Sequence, residues 1–555
     1  MKRIFFLFAF VFSLNAFSQV EDAWFFIKDK PNSATFLANP LTMLSQQALD
    51  RRNKVGVSLD EKDVPIDKSY LADIKAVPNL ILLGKSKWLN AVHVQAEKNV
   101  IETAFPKLQF LERVEFANKN RNGLSQKSTK KGKANHYNKF TEIKADFNYG
   151  NAHNQIKMLK GEILHKQGLT GKNAIIAILD GGFPNVDTLA GFKRLRDNNQ
   201  ILGGYNFADR NTNFYTRDRH GTHVLSTIGG YIENQFVGTA PDAKFYLFIT
   251  EITETETVLE ETLWVEAAER ADSLGVDVIN SSLGYTTFDN PNHDYTYADM
   301  DGKTTFISRG AEIAASRGIL VVTSAGNSGN DSWKYISAPA DAVSVISVGA
   351  VDSNGQIVGF SSYGPTSDNR IKPEVLAKGG VTSIINYLSG NVVTASGTSF
   401  SSPIMAGLIA CLNENQSFLL KSINKSKNTN NFNDYLKMAV YESADRFANP
   451  TPQHGFGIPN FEDALNLYIG STGAVANYNA ENLMVYPNPT QDVFKIEGLL
   501  LENNNIIIYS SIGKEVYKTV LNSSNEINIS FLKSGIYILK IQNQNQQKTI
   551  KLIKN

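Results

Sequence analysis

The stretch Ala174-Ile175-Ile176-Ala177-Ile178-Leu179-Asp180 decides the fold of the central part of the chain. Its first six residues are apolar without alternation, as in a strand of a parallel sheet that is covered on both faces. Similar runs follow at 276–279 and 319–322, and a helical pattern at 259–274 lies between the first two runs. This order of elements predicts a doubly wound α/β domain with a mainly parallel sheet from about 150 to 470.

The segments on either side of this domain have other patterns. Between Asp22 and about Ala117, short alternating strands and helix-like stretches predict a small α+β domain. Residues 118–139 are polar and rich in lysine, so they cannot pack a core and are interpreted as a linker. From about Leu483 to Asn555, short alternating strands separated by turn signals predict a small antiparallel β-sandwich.

Composition and charge exclude some classes of protein. The 555 residues include 55 Lys and Arg and 54 Asp and Glu, which gives a formal net charge of +1. At roughly 100–200 residues per domain, this length predicts about three or four domains. Near-neutral charge argues against nucleic-acid binding, which depends on a basic surface. With Cys411 as its one cysteine, the chain cannot form an internal disulfide.

The N-terminus has the pattern of an export signal. Lys2 and Arg3 precede an apolar run from Ile4 to Leu14, and Ala16-Phe17-Ser18 supplies small residues for cleavage. Residues 1–18 are therefore interpreted as a signal peptide that is removed. A membrane-anchoring helix is the alternative, although the run is shorter than the ~20 residues that a span requires.

Two chemistry-bearing residues are expected at one edge of the predicted sheet. Asp180 ends the first apolar run, and Gly181-Gly182 lets the chain turn there, which leaves the carboxylate at the edge where ligand sites form in such sheets. His220 lies at the start of a helical pattern and can face the same edge. Each also has an ordinary structural interpretation: Asp180 as a turn residue and His220 as a packed imidazole, for which His223 is the better candidate.

A serine and an asparagine complete this set. Ser399 precedes Pro403, which suits the first turn of a helix, and a buried helix is predicted over 404–412. A hydroxyl at a helix N-terminus lies beside free N–H groups and the positive end of the helix dipole, as in half an oxyanion hole. Asn327, in a Gly-rich loop, can supply the other half through its amide, or can simply stabilise that loop.

Together these residues closely resemble the subtilisin-like serine protease (subtilase) family, in which the chain order is Asp, His, Ser. The chain departs from the common family pattern at Gly181, where Ser or Thr is usual, and at Phe400, where Met is frequent. Both departures are expected to leave activity intact. The resemblance rests on five blocks: Ala177-Ile178-Leu179-Asp180-Gly181-Gly182, His220-Gly221-Thr222-His223-Val224, Asn280-Ser281-Ser282-Leu283-Gly284, Ser324-Ala325-Gly326-Asn327-Ser328-Gly329 and Gly397-Thr398-Ser399-Phe400-Ser401-Ser402-Pro403.

The resemblance implies a role for each of the four residues. Ser399 would be the nucleophile, His220 the general base and then the general acid, and Asp180 the residue that orients and stabilises the imidazole. Asn327, together with Ser399, would form the oxyanion hole.

The resemblance also implies a substrate-binding region. Ser282, Leu283 and Gly284 resemble the family's edge strand, which pairs with an extended substrate backbone, and Ala325 and Gly326 would lie beside it. Peptide bonds are then the natural substrate, and the chemistry requires no cofactor.

Calcium is the metal that the resemblance brings into consideration. Asp209, Asp218 or Asp331 can contribute to a structural calcium site, but no loop has recognisable ligand spacing, so no metal ligand is assigned. The acidic run 251–261 is interpreted as a helix start with a solvated face.

The flanking segments also resemble known parts of exported proteases. The N-terminal α+β segment lies where secreted subtilases carry an inhibitory propeptide, removed by self-cleavage in the tether; a permanent accessory domain is the alternative. The C-terminal segment, with Val485-Tyr486-Pro487-Asn488-Pro489-Thr490, resembles the type IX secretion sorting domain of certain Gram-negative bacteria. A carbohydrate-binding or adhesive sandwich is the alternative for this segment.

The expected organisation follows from these interpretations. It comprises a signal peptide at 1–18, a propeptide domain and basic tether at 19–148, a catalytic domain at 149–470, a linker at 471–481 and a sorting domain at 482–555. We expect a monomeric serine endopeptidase, secreted or at the cell surface, that acts on proteins or peptides, engages the type IX secretion machinery and binds no nucleic acid. A proteolytically inactive subtilisin-fold binding or adhesion protein is the alternative.

Overall fold

The computed structural model describes residues 20–121, 147–414, 432–473, 484–497, 505–510, 514–520, 526–542 and 547–555. The expected signal peptide, most of the expected tether and the expected linker from residue 474 onward lie outside these residues. The chain divides into two compact units, Met1–Thr472 and Gly473–Asn555.

A seven-stranded parallel sheet forms the centre of the first unit, in the order β13-β12-β11-β10-β5-β9-β6. The predicted doubly wound α/β fold is therefore confirmed. The strands of this part are β5 (Ile175–Asp180), β6 (Ile201–Asn206), β7 (Tyr231–Ile232), β8 (Phe236–Val237), β9 (Lys244–Ile249), β10 (Val278–Ser281), β11 (Leu320–Ser324), β12 (Ile346–Val351), β13 (Val375–Lys378), β14 (Thr382–Ile385) and β15 (Val392–Ala395). The helices are α5 (His153–Lys157), α6 (Gly161–Lys166), α7 (Lys193–Asp197), α8 (His220–Gly229), α9 (Val258–Leu274), α10 (Phe306–Ser316), α11 (Thr398–Asn413), α12 (Phe432–Glu442) and α13 (Phe461–Gly473).

Strand β5 explains why the deciding stretch is apolar up to Asp180. Ile176 and Ile178 belong to one hydrophobic core, whereas Ala177 and Leu179 belong to a second core on the other face of the sheet. All six residues of β5 are buried. Because successive side chains of a strand point to opposite faces, a strand between two cores must be apolar at every position.

The N-terminal α+β segment packs on the same unit. Its four-stranded antiparallel sheet has the order β2-β3-β1-β4, and Trp24 and Trp88 join the core formed with α9 and α10. Arg51 and Arg52 donate to the buried carboxylate of Asp272 on α9. The elements are β1 (Val20–Ile27), β2 (Ile81–Ser86), β3 (Ala91–Glu97), β4 (Leu111–Phe116), α1 (Ser33–Ala38), α2 (Gln46–Val55), α3 (Lys68–Lys75) and α4 (Lys98–Ala104).

The start of α9 corrects one expectation. The helix does begin beside the acidic run, and Glu260 closes a capping box with Thr257. Its acidic face is not solvated, however, because Glu260 and Glu261 are 1% and 0% exposed. Burial raises the pKa of Glu260 to about 8 and that of Glu261 to about 7. Tyr295 donates a hydrogen bond to Glu261 at 2.7 Å, so a long-range contact helps to bury the end of the run, whereas Glu254 is exposed.

The second unit contains two antiparallel sheets, with the orders β16-β17-β20 and β19-β18-β21-β22. Phe494 and Ile496 of one sheet share a core with Ile506 and Ile508 of the other, which confirms the predicted small sandwich. The strands are β16 (Met484–Tyr486), β17 (Val493–Glu497), β18 (Asn505–Ser510), β19 (Glu515–Val520), β20 (Glu526–Asn528), β21 (Gly535–Gln542) and β22 (Gln547–Lys554). Across the described parts of both units, none of the helices is both long and apolar enough to span a membrane.

Candidate active site

The candidate site lies at the carboxyl end of the central sheet, where Asp180 is the last residue of β5. The chain then turns through Gly182, where an added Cβ would lie 2.4 Å from the carbonyl oxygens of Thr216 and Asp218. Only glycine fits such a close approach of two backbone segments. The turn therefore holds Asp180 beside the segment that leads into α8.

A hydrogen bond joins Asp180 and His220, the first two residues of the predicted catalytic set. Nδ1 of His220 donates to Oδ1 of Asp180 at 2.7 Å, and the Gly181 N–H donates to the same oxygen at 2.8 Å. The Asp180 side chain has no exposed surface, whereas the His220 side chain is 33% exposed. Burial alone would lower the pKa of His220, but the charge and hydrogen bond of Asp180, with the charge of Asp218, raise it above its usual value. His220 is thus a stronger base than a free histidine.

The backbone of His220 is fixed at the start of α8. Its N–H donates to Oδ1 of Asp218 at 2.8 Å, which satisfies one of the N–H groups that a helix start leaves free. An added Cβ at Gly221 would lie 3.0 Å from Cβ of Asp180, so glycine lets the helix begin against the strand end. Both the ring and the main chain of His220 therefore have carboxylate partners.

His223, one turn further along α8, has the structural role that the sequence favoured. Its Nε2 accepts a hydrogen bond from the Tyr387 N–H at 3.4 Å, and the two rings pack edge to face with centroids 5.8 Å apart. Burial, and then the charges of His220 and Arg219, lower its pKa to about 4. A neutral, packed imidazole follows from these contacts.

Ser399 lies in the first turn of α11, after the N-cap residue Gly397. The sequence predicted Pro403 in this first turn, but the helix begins earlier and Pro403 lies inside it. Proline has no N–H to donate to the carbonyl four residues before it, which is that of Ser399. This carbonyl instead accepts a hydrogen bond from Oγ of Ser282 at 2.9 Å. The internal proline thus frees an acceptor that ties the helix start to the segment after β10.

The Ser399 hydroxyl and the His220 imidazole occupy the same edge of the sheet without a direct hydrogen bond. Oγ of Ser399 makes a long hydrogen bond, 3.4 Å, to the carbonyl of Ser282. The His220 ring centroid lies 6.0 Å from that of Phe400, the next residue after Ser399. Within the described residues, the imidazole contacts a carboxylate on one side only. Bonds between a base and its nucleophile are often long in free enzymes and shorten when substrate binds.

Asn327 lies beside the first turn of α11. Its Oδ1 accepts from the Thr398 N–H at 2.8 Å and from the Thr398 hydroxyl at 2.9 Å, and these donors fix the orientation of the amide. A Cβ built on Gly397 would lie 3.7 Å from both Nδ2 of Asn327 and the backbone N of Ser399. Two N–H donors therefore border the same space, which is left open because residue 397 is glycine.

The segment after β10 begins with a side chain that is hydrogen-bonded and continues with two residues that lie outside the sheet ladders. Ser282 is buried, and its hydroxyl is used in the hydrogen bond to Ser399. Leu283 and Gly284 lie beyond the ladders of the sheet, and backbone pairing resumes at Tyr285. Of the three substrate-binding residues predicted in this segment, Leu283 and Gly284 thus have a main chain suited to pairing with an added extended strand.

The main chain of the loop after β11 is already in use. The Ala325 N–H donates to Val348 at 3.1 Å, the Gly326 N–H donates to Oγ1 of Thr398 at 3.2 Å, and the Gly326 carbonyl accepts from Ser362 at 3.0 Å. Ala325 and Gly326 can therefore contribute a wall to a substrate site, but no backbone pairing.

The three aspartates considered for calcium do not come together. Asp209 forms a bidentate pair with Arg217, Asp218 accepts the His220 N–H, and Asp331 lies in an exposed turn. Three other carboxyl groups do lie together: oxygens of Glu251, Glu256 and Glu260 are within 4.8 Å of one another. These belong to the acidic run that the sequence assigned to a solvated face.

Burial raises the pKa of each carboxyl group in this acidic set. Burial, followed by the charge of Glu260, raises the pKa of Glu251 well above its usual value, and Tyr285 donates a hydrogen bond to it. Burial also raises the pKa of Glu256 to about 7. Protonated carboxyl groups can lie close together without a cation, so this group gives no ligand assignment.

Three family models match three separate parts of the chain. Residues 171–458 match the subtilase family, residues 22–135 match the peptidase S8 propeptide domain of Bacteroidota, and residues 484–555 match a secretion system C-terminal sorting domain. The last match indicates export to the cell surface or beyond it.

Individual relatives cover the central part of the chain. Subtilisin NAT of Bacillus subtilis subsp. natto is 32% identical over 262 residues, which span 46% of this chain and 60% of that protein. Subtilisin DY of Bacillus licheniformis is 31% identical over 259 residues, 46% of this chain and 82% of that protein. The solved structure of the prenylagaramide maturation protease PagA aligns with a TM-score of 0.43 and 22% identity, and covers 56% of this chain and 98% of that one.

The five sequence blocks thus fall within a family match that extends over more than half of the chain, and the predicted sheet, strand end and helix starts are all present in it. The chain belongs to the subtilase family.

Proposed function

We propose that this chain is a secreted serine endopeptidase that uses Asp180, His220 and Ser399. The observation that carries the proposal is the 2.7 Å hydrogen bond from Nδ1 of His220 to Oδ1 of the buried Asp180. A buried carboxylate on one imidazole nitrogen fixes the tautomer and leaves the other nitrogen free to take a proton. Ser399 supplies the hydroxyl, since it lies at the helix start next to Phe400, whose ring neighbours the imidazole.

The proposed reaction has two halves. Ser399 Oγ attacks the carbonyl carbon of a peptide bond while His220 Nε2 takes its proton, and the negative charge that develops on the carbonyl oxygen accepts hydrogen bonds from Asn327 Nδ2 and the Ser399 N–H. His220 then gives its proton to the leaving amine, and an acyl-enzyme remains. Water, deprotonated by His220, attacks the acyl carbon. The bond from this carbon to Ser399 Oγ then breaks as His220 returns the proton to Oγ, and the acid product leaves. Asp180 stays ionised throughout and stabilises the imidazolium.

Proteins and peptides are the proposed substrates, because an extended backbone can pair with Leu283 and Gly284 and lie along Ala325 and Gly326. Each step above is carried by side chains and water, so the chemistry needs no cofactor. Calcium would serve stability alone. The proposed export partner is the type IX secretion machinery, in line with the match of residues 484–555 to a sorting domain.

We further propose the chain organisation expected from the sequence: a signal peptide at 1–18, a propeptide and tether at 19–148, a catalytic domain at 149–470, a linker at 471–481 and a sorting domain at 482–555. The enzyme would cleave its own tether, and the match of residues 22–135 to a propeptide domain supports this. A subtilisin-fold protein that binds without hydrolysis is the competing function.

Hydrolysis of an unfolded protein distinguishes these two functions. The full-length chain is produced as the parent and as Ser399→Ala, and each is incubated with casein at neutral pH. We expect fragments of casein with the parent and none with the variant, and we expect the variant to remain uncleaved in its tether. A folded parent that leaves casein intact, or equal hydrolysis by the variant, would contradict the proposal.

The oxyanion hole gives a separate prediction. Asn327→Ala is expected to lower kcat by about 10²–10³, the scale found for the corresponding donor of a subtilisin, with little change in KM. The reason is that Nδ2 contacts the oxygen only when it carries the negative charge of the transition state. Steady-state kinetics on a chromogenic peptide measure both constants, with Asn354→Ala in an exposed turn as the control. An increase in KM with kcat unchanged would assign Asn327 to ordinary substrate binding.

A further inference from the structure

Arg217 has an unusual backbone conformation three residues before His220. Its φ of +62° lies in the left-handed region, which side chains other than glycine, asparagine and aspartate seldom adopt. Residues held in such conformations carry backbone strain and persist only where surrounding contacts impose them. The contacts that impose this conformation are therefore of interest.

Backbone contacts bind the segment around Arg217 to the turn after Asp180. Arg217 forms an isolated antiparallel bridge with Gly182. The Phe183 N–H donates to the Thr216 carbonyl at 3.1 Å, and the Asp218 N–H donates to the Gly181 carbonyl at 3.2 Å. Any rotation of residue 217 would therefore displace both the turn after Asp180 and the residue that follows, Asp218.

The side chain of Arg217 anchors this segment to the sheet. Nε donates to Oδ2 of Asp209 at 2.9 Å and Nη2 donates to Oδ1 at 2.5 Å, a bidentate pair. Asp209 is held in turn by Asn206, the fully buried last residue of β6, through bonds of 2.8 and 2.9 Å. The hydrogen bonds between the two charged groups raise the pKa of Arg217 and lower that of Asp209. Both groups are thus charged at neutral pH.

The segment has a direct connection to the proposed base. Asp218, next in the chain, accepts the His220 N–H at 2.8 Å, and the turn on its other side begins at Asp180. The turn after Asp180 and the N–H of His220 are therefore both hydrogen-bonded to one short segment, residues 216–218. Its left-handed residue, Arg217, is paired with Asp209. We propose that Arg217 is a positioning residue, which through its pair with Asp209 sets the distance and angle between Asp180 and His220; this inference rests on the proposed function.

A merely structural ion pair would behave differently. The Arg217 and Asp209 side chains are 19% and 40% exposed, so water screens their attraction, and the bidentate geometry adds orientational specificity as well as energy. We therefore expect loss of the pair to change the reaction far more than the unfolding temperature. A misplacement of about 1 Å can cost 10²-fold in rate without loss of the fold.

Three variants of the full-length chain distinguish the effect of losing the Arg217 side chain from the effect of losing its left-handed backbone conformation. Arg217→Val removes the guanidinium and disfavours the left-handed conformation, whereas Arg217→Asn removes the guanidinium but tolerates it. Asp209→Asn removes the charge of the partner and one of its two acceptor oxygens. Arg194→Gln breaks a comparable Arg–Asp pair, with side chains 30% and 23% exposed, outside the site and serves as the control.

We expect Arg217→Val to lower kcat on a chromogenic peptide by about 10- to 100-fold with KM unchanged. Asp209→Asn and Arg217→Asn should lose less, and Arg194→Gln nothing. Exchange of the two partners, Asp209→Arg with Arg217→Asp, should recover much of the loss, because aspartate also tolerates the left-handed conformation. Unchanged kcat in Arg217→Val and Asp209→Asn would overturn the inference, as would losses that only follow a smaller folded fraction.

A second readout does not depend on hydrolysis. In full-length Ser399→Ala, the His220 Nδ1 proton bound to Asp180 should give a far-downfield proton resonance, identified by its loss in His220→Gln. Adding Arg217→Val should shift or broaden this resonance, whereas adding Arg194→Gln should not. The inference would be overturned if Arg217→Val left the resonance unchanged, or if the Ser399→Ala chain without this second substitution lacked the resonance. Failure of the parent to hydrolyse peptides would contradict the proposed function instead, and the resonance would still decide the role of Arg217.

Discussion

Ser399→Ala and His220→Ala are each expected to lower kcat by about 10⁶, and the double variant is expected to be no slower than either one alone, the scale found in a subtilisin. The physical reason is that each residue is useless without the other. Without the imidazole, the serine keeps its proton and is a poor nucleophile, and without the serine, the imidazole has no proton to take. What remains is binding and the oxyanion hole.

Steady-state kinetics of the three variants with one chromogenic peptide measure this dependence. Asn327, the proposed oxyanion-hole residue, provides the comparison, because its expected contribution is made by a different part of the site. If the losses of Ser399→Ala and His220→Ala multiplied in the double variant, the two residues would act independently. That result would contradict a shared proton transfer between them.

Asp180→Asn has the second largest expected effect, a decrease in kcat of about 10⁴. The carboxylate oxygen Oδ1 accepts hydrogen bonds from both His220 and Gly181, and an amide cannot supply its negative charge. The imidazolium that forms during the reaction then loses its stabilising partner. If the amide turns its NH2 toward Nδ1, the imidazole also takes the wrong tautomer.

The same variant should move the acid side of the pH profile. His220 must be neutral to act as a base, so activity falls as pH drops through its pKa, which Asp180 raises above the usual value. In Asp180→Asn, burial still lowers this pKa but the charge of Asp180 no longer raises it. The acid limb of kcat/KM is therefore expected at lower pH than in the parent. Asp197→Asn, which breaks an exposed pair with Lys193, is the control. An unmoved acid limb would contradict the assigned partner.

Much of the site was predictable because it depends on local rules. The apolar run that ends at Asp180 predicts a buried parallel strand, and the carboxyl end of such a strand is where side chains meet. The helix starts at His220 and near Ser399 were likewise predictable from the patterns that follow them. The Gly-rich loop and the place after a strand made Asn327 a candidate for the oxyanion hole.

Features that depend on distant partners were not predictable in this way. Pro403 lies inside α11, where the Ser399 carbonyl that it leaves without a helical donor has a partner in Ser282, more than a hundred residues earlier. Glu261 is buried because Tyr295 and the elements around α9 cover it. The left-handed Arg217 pairs with Asp209, and neither residue forms part of the family blocks. Sequence patterns report local periodicity, and these contacts lie outside it.

The central claim is that Ser399 is the nucleophile, and the residue modified by a fluorophosphonate tests it most directly. The full-length chain is allowed to process, treated with the reagent at neutral pH and digested, and the modified peptide is identified by mass spectrometry. The account predicts one phosphonyl group on Oγ of Ser399 and no modification in His220→Ala. Modification of another residue, or a folded, processed chain that takes up no reagent, would contradict it.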